Sequence, residues 1–464
     1  MNDKQDPIVS LAEHALQSTS AAFTADQVSA ATMILLDTVA VGIAGSNATY
    51  ADSVHQLAPR WGGNGPCRAM GRGSGLPAAS AAFLNAYQIH GQEYDCVHEP
   101  AVVHPMAAIM ATALAELEQL AQGGDQTGVT GRQWLDALSA AVDVAITVGL
   151  SAQTGLRFFR PATAGAFGAA AVAARLRGFN QEQTLLTFGH MYSQLCGTMQ
   201  AHTEGSAVLP MQIGFNARNA VIAADLASAD ISAPSQVIGG PYGYHELFEP
   251  GGQIADLLPQ LGKRHRITEL SYKPFPTGRA THGGLDGILT LLREHEFDAA
   301  DVTSVKLWGP PLIPRLVARP VSAGMPANYA RLCMQYVGAV ALAHGTVGLF
   351  DFDAETLKSD RIQALANRIE VIDDGSPDPN ALLPQRVQIT LSSGEELTTD
   401  LPQVIGSPEK PLTHDENLAK IRHCLKFAEF AQAQTEALIE TGLRVTELAD
   451  VGECLQHAWQ ADRS

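Results

Sequence analysis

At 464 residues the chain is too long for one compact core of ordinary size, so two domains are expected. Its 46% hydrophobic and 17% charged residues describe a globular protein and exclude a disordered one. A formal net charge of −18 excludes a nucleic-acid binder, which needs a basic face, and obliges any anionic substrate to find its own small cluster of Arg or Lys.

The opening residues, Met1 to Asp6, lack the basic stretch and apolar run of a signal peptide. The apolar runs that follow are interrupted by Gly, Asp or His short of membrane-spanning length. A cytoplasmic protein without a membrane partner is expected. Residues 26–44 carry Val28, Ala31, Met33, Leu35, Leu36, Val39 and Ile43 at helical spacing, and Gly45-Ser46-Asn47 stops them. Segments 104–120, 131–150, 162–176, 180–198 and 217–227 continue in the same Ala-rich style. Small residues at close spacing let helices approach tightly.

Near Gly262 the composition shifts, and the basic, aromatic segment 263–276 reads as a crossing between domains. A helix over 283–294, a strand over 302–308, a helix over 330–343 and strands over 369–372 and 386–391 follow, with Ser392-Ser393-Gly394 as a turn. From Asp415 the chain is helical again. This order predicts a mainly α protein, with a large helical domain over 1–268 and 410–464 and a smaller α+β lid domain over 269–409. The six cysteines (Cys67, Cys96, Cys196, Cys333, Cys424, Cys454) show no CxxC pair or metal-ligand spacing, which fits free thiols in a reducing compartment.

Three stretches carry chemistry. From His90 to His104 the chain packs His90, His98 and His104 with Glu93, Asp95 and Glu99 between two helices, where binding and catalytic groups concentrate. Such a set moves protons or holds a divalent metal. No His and carboxylate pair shares a predictable helical face, which weakens the metal reading, and the bland alternative is helix capping or surface polarity. The second stretch, Arg157 to Gly168, sets Arg160 before Pro161 at a helix start, where a guanidinium and free backbone N–H groups can hold a carboxylate. A surface arginine is the alternative. In the third, Ser271 to His282, two prolines and Gly278 fix an irregular backbone around Lys273 and Arg279. These cations can neutralise a substrate carboxylate or developing charge, the alternative being a basic linker.

These stretches, with 36–45, 81–86, His104-Pro105, 217–219, Lys273-Pro274-Phe275-Pro276 and Gln335-Tyr336, resemble the MmgE/PrpD family over most of the chain. That family includes dehydratases, decarboxylases and epimerases of small carboxylates. The resemblance implies a helical domain assembled from both chain ends, an α+β lid, a cleft between them and a homodimer. It implies His104 as an active-site histidine, Lys273 as the lid lysine, Tyr336 as a pocket tyrosine, and Asp95 and Glu93 as the acidic motif. The chain departs from the family pattern at several positions. Cys96 and Val97 replace Asp and Thr, Arg160 a histidine, Leu209 a lysine, Gln212 a histidine, and Gly278 a histidine of some decarboxylases.

Removing a proton α to a carboxylate takes a base, a cradle for the carbanion's charge and an acid. His104 is the expected base, oriented by Glu93 or Asp95. Lys273, Arg160, Gln212 and Arg279 are expected to bind substrate, and Tyr336 to donate a proton. An arginine cannot act as a base at neutral pH, so position 160 turns to anion binding. The expected activity is a lyase, dehydratase-like, acting on a small hydroxy di- or tricarboxylate without cofactor or metal. An isomerase or epimerase of a substituted succinate, a decarboxylase and a non-catalytic ligand-binding homologue stand behind it.

Overall fold

Four long helices begin at reciprocal caps. Thr24 and Gln27 close one on Ala25–Ala44, Thr130 and Gln133 on Gly131–Leu150, Asn180 and Gln183 on Gln181–Tyr192, and Thr413 and Glu416 on His414–Phe427. Pro105 and Pro161 occupy the first turns of Pro105–Ala121 and Arg160–Leu176, where a missing N–H costs nothing. The computed structural model describes residues 5–122, 128–455 and 458. Met1 to Lys4, residues 456–457 and 459–464 of the helical run expected at the chain end, and the Cys454 side chain lie outside the described residues. The other five cysteines are free thiols.

The helices Ala78–Gly91, Pro105–Ala121, Gly131–Leu150, Arg160–Leu176 and Val208–Ser228 pack on one another around one apolar core. Small residues set their spacing. A Cβ on Gly168 would stand 2.8 Å from the Ala141 carbonyl oxygen and 2.7 Å from Ile109 Cδ1. The late helices His414–Phe427 and Gln432–Leu443 return to pack on Ala25–Ala44, adding Ile421, Cys424, Leu425, Leu438 and Ile439 to the same core.

A second core lies around a four-stranded sheet. The strands in chain order are β1 (Cys67–Ala69) and β2 (Gly73–Leu76), a small separate hairpin, then β3 (Val302–Gly309), β4 (Ile369–Asp373), β5 (Gln385–Leu391) and β6 (Glu396–Leu401). The sheet runs β4-β3-β5-β6, with β3 and β4 parallel and the other pairs antiparallel. The helices His282–Glu294 and Met334–His344 pack against it through Leu285, Ile288 and Leu291 and through Val337, Val340 and Ala341. The architecture is mainly α, a large helical part with a smaller α+β part.

Several local expectations change. The helix predicted over 180–198 ends at Tyr192, because Asn219, Asn216 and Gln212 take the backbone groups of Gln194, Cys196 and Thr198. Two helical runs, Ala25–Asn47 and Gly131–Leu150, are long and apolar enough to cross a membrane, correcting the expectation that every apolar run is broken short of that length. In the fold 83% of each window is buried, the setting of core helices.

Candidate active site

His90 sits in the last turn of Ala78–Gly91, and the chain then leaves the helix through Glu93 at φ 52°, a left-handed backbone that costs a non-glycine residue. Lys273 holds that turn, its ammonium donating to Glu93 O at 3.1 Å and Glu93 Oε2 at 3.0 Å. The two segments meet because Val97 and Ser271 exchange backbone hydrogen bonds of 3.0 and 2.8 Å. Beyond Val97 the chain doubles back through a bridge between His98 and Val103, with Val102 at φ 51°, and delivers His104 to the start of Pro105–Ala121. Residues 180 positions apart thereby form one cluster.

Asp95 is its centre. Both carboxylate oxygens lie 3.0 Å from His90 Nδ1, and Oδ2 lies 3.3 Å from His104 Nδ1. Asp95 Oδ1 also lies 3.8 Å from Lys273 Nζ, and His90 Nε2 lies 3.4 Å from Glu93 Oε1. The two imidazoles meet edge to face with centroids 4.9 Å apart. Beyond these ion-pair contacts, His90 Nε2 and His104 Nδ1 make no hydrogen bond among the described residues.

Electrostatics separate the two histidines. Burial would depress the His90 imidazole, but Asp95 and then Glu93 outweigh it and raise its pKa. At His104 burial prevails over Asp95, with Lys273 on its side, and the pKa falls. Burial opposes the charge on Glu93, yet Lys273, then His90 and His104, hold its carboxyl at about 2. Burial likewise opposes Asp95, and the same two imidazoles carry it well below the carboxylate range. The environment thus favours the charged form of His90 and the neutral form of His104, the pairing of an acid and a base on one carboxylate.

His90, Glu93 and His104 line a cavity of about 70 Å³, room for several water molecules. Its other walls are largely apolar, among them Leu156, Phe159, Met199, Leu209, Leu316 and Leu332, with His202 and Arg279 interrupting them. A wider cleft of about 660 Å³, open to solvent and lined by His98, Glu99, Arg266 and Ser271, lies on the other side of Leu382, which borders both spaces.

The structure gathers His104, Lys273, Glu93 and Asp95 and sends the other expected site residues elsewhere. Arg160, expected to bind an anion, is 1% exposed, paired with Glu249 at 2.8 Å and bonded to the Ala101 and Thr154 carbonyls, so its charge is balanced inside the protein. Gln212 uses both ends of its amide on Thr198, a backbone clamp in place of a substrate contact. Arg279 touches the cavity but pairs with Glu99 and donates to Ile405 O. Tyr336, expected as a proton donor, donates to Asp351 O at 2.6 Å within the second core and is not among the walls of the cavity. Lys273, fully buried, binds the protein's own carboxylates. Sequence reasoning passed over His90 as a catalytic candidate, although Glu93 and Asp95 three and five positions on were a usable signal.

His90, Asp95 and His104 offer three ligand atoms within 4.8 Å of one another, a spacing a divalent cation accepts. Lys273 already supplies positive charge to that corner, 3.8 Å from Asp95, and a dication would face it at close range. The cluster suits proton transfer better than metal binding.

A family model for the MmgE/PrpD N-terminal domain matches residues 9–256, and one for the MmgE/PrpD C-terminal domain matches residues 275–444. The chain belongs to the MmgE/PrpD family. Among similar members, cis-aconitate decarboxylase-like protein oryM of Aspergillus oryzae is 25% identical over 453 residues, covering 93% of this chain and 92% of its own length. The cis-aconitate decarboxylases of Mus musculus and Homo sapiens are each 24% identical, covering 91% and 84% of this chain and 86% and 81% of their own lengths. These MmgE/PrpD relatives are enzymes, and their names are those of lyases.

Proposed function

We propose that this MmgE/PrpD protein is a cofactor-independent lyase that removes a proton α to the carboxylate of a small hydroxy acid and expels the neighbouring hydroxyl as water. The observation that carries this reading is two adjacent imidazoles on one cavity wall, both on Asp95, in surroundings that shift their pKa values in opposite directions. Neutral His104 takes the proton. Protonated His90 gives one to the departing oxygen, and Asp95 steadies both rings as charge moves between them. Lys273 keeps Glu93 ionised in a buried site, as the two imidazoles do Asp95, which preserves the difference between the rings.

Acid and base on one wall favour elimination over epimerisation, which needs proton exchange on opposite faces of one carbon. Decarboxylation would use the same cradle but loses carbon dioxide in place of a proton. His104→Ala should abolish turnover while far-UV circular dichroism and melting temperature stay close to the parent. Proton NMR in deuterium oxide separates the reactions, because elimination gives a new vinylic signal, decarboxylation a lost carbon, and epimerisation deuterium exchange alone. Full activity in His104→Ala would end this reading.

A further inference from the structure

The charges around the cavity limit what it can hold. Lys273 faces Glu93 and Asp95, Arg279 faces Glu99, and Arg160 faces Glu249, so none has a charge to spare. Arg319 differs. No carboxylate among the described residues pairs with it, it is 8% exposed, and its Nη1 is buried without a hydrogen-bond partner. It lies behind the cavity wall, donating from Nε to Leu316 O at 3.3 Å and from Nη2 to His202 O at 2.6 Å. Arg331 also lacks a carboxylate, but its terminal nitrogens bind Pro276 O and Gln92 Oε1, the Phe352 ring covers it, and it is not a wall of the cavity. Arg315 is exposed and screened by solvent.

The contact between Arg319 and His202 fixes a tautomer. Arg319 Nη2 lies 3.0 Å from His202 Nδ1, and a guanidinium can only donate, so Nδ1 accepts and the ring proton sits on Nε2. Burial, and Arg319 next, push this imidazole down to about 4, so it stays neutral with its N–H fixed. His202 lines the cavity, and no protein group among the described residues takes that hydrogen. Beside His90, which the proposed elimination uses as its acid, the cavity therefore offers one oriented donor, with a positive charge behind it that no carboxylate among the described residues pairs. The remaining walls are largely apolar, and Leu209 is among them.

Resting on the reading of this cavity as the substrate site, we propose that it takes an acid with a single carboxylate seated at His202 and an alkyl arm along the apolar walls, and not a di- or tricarboxylate. Arg319 is the positioning residue that sets the His202 tautomer and supplies the countercharge. A second or third carboxylate would meet only His90, which the elimination uses, and Arg279, already paired with Glu99, and would otherwise lie against leucine and phenylalanine, which costs more than the first carboxylate gains. The seated carboxylate is also the one whose α proton His104 removes, so the charge that develops on it falls to the same donor.

The test uses binding of saturated acids that cannot react, measured by titration calorimetry on the full chain. Pentanoate should bind about fourfold more tightly than butanoate, the increment of one buried methylene. Succinate and propane-1,2,3-tricarboxylate should bind roughly tenfold or more weakly than pentanoate. His202→Ala should weaken pentanoate by about tenfold, whereas His202→Gln, which keeps an N–H donor, should restore most of it. Nitrogen-15 NMR of His202 should show hydrogen on Nε2 in the parent and a mixture of tautomers in Arg319→Gln, a change that a packing role would not produce. Leu209→Lys should bring the tricarboxylate in at the expense of pentanoate. Tighter binding of the tricarboxylate than of pentanoate to the parent, or unchanged pentanoate binding in His202→Ala, would overturn the proposal. Because none of these acids turns over, the ranking survives a failure to find any elimination activity, and the two proposals fall separately.

Discussion

Asp95 divides one negative charge between two imidazoles, and the inequality of that division is what the chemistry uses. His104 must be neutral to act, so activity is lost as pH falls through its lowered pKa, on the acid side of the ordinary value near 6.5. His90 must be protonated, so activity is lost as pH rises through its raised pKa, on the other side. The profile of kcat/KM should be bell-shaped with the two limbs pushed apart, each belonging to the coupled pair. Asp95→Asn should draw the basic limb inward and lower kcat by about a hundredfold; a profile with a single limb in the parent would sink the assignment of acid and base. Stability follows the opposite slope. The Glu93 and Asp95 carboxyls lie below their unfolded values near 4, so the stability they contribute is present above that pH and is lost as pH falls through the folded values. Melting temperature should therefore fall on acidification, and less steeply in Asp95→Asn. Of these residues Glu93, Asp95 and His104 were legible in the sequence because they crowd one short segment. His202 and Arg319 were not, being 117 positions apart and in no motif.

At the scale of elements, close helix packing does the positioning. Gly168 lies where Arg160–Leu176 crosses Gly131–Leu150 and Pro105–Ala121, the helix that begins behind His104. Gly168→Ala puts a Cβ 2.8 Å from a backbone oxygen that cannot turn aside, and should cost about 1–3 kcal/mol in denaturant unfolding. A neutral result would mean that the helices can slide apart. At the head of the same helix, Glu249→Gln should leave a buried guanidinium without its counterion and cost about 3–5 kcal/mol. Activity per folded molecule should hold, since Arg160 is no wall of the cavity; a selective loss of activity would return Arg160 to the site. The amphipathic helices were readable from their own spacing, and β3, β4 and β5 from their branched residues. The hairpin Cys67–Leu76 and strand β6 were missed, the first because its glycines show no alternation, the second because Glu396-Leu397-Thr398-Thr399-Asp400-Leu401 buries only two side chains. The end of the helix at Tyr192 and the pairing of Arg160 were illegible for one reason. Asn216 and Glu249, which decide them, lie 20 and 89 positions away in the chain.

Across the whole molecule, the first long helix and the late helices meet in a buried ion pair, Asp37 with Lys420 at 2.8 Å. Lys420 also donates to Tyr94 O at 2.9 Å, so the far end of the chain grips the turn that carries Glu93 and Asp95. Lys420→Met should strand a buried carboxylate, lower the melting temperature and reduce kcat more than it changes KM. Equal and small effects on both would show that the turn holds itself. The longest-range consequence belongs to Leu382, the side chain that borders both the wide cleft and the smaller cavity. An isobutyl group in that position screens part of the cavity from the water of the cleft. Shaved to alanine it should let acids arrive and depart faster while admitting water to the half-formed carbanion, trading commitment to product for idle exchange of the α hydrogen with solvent.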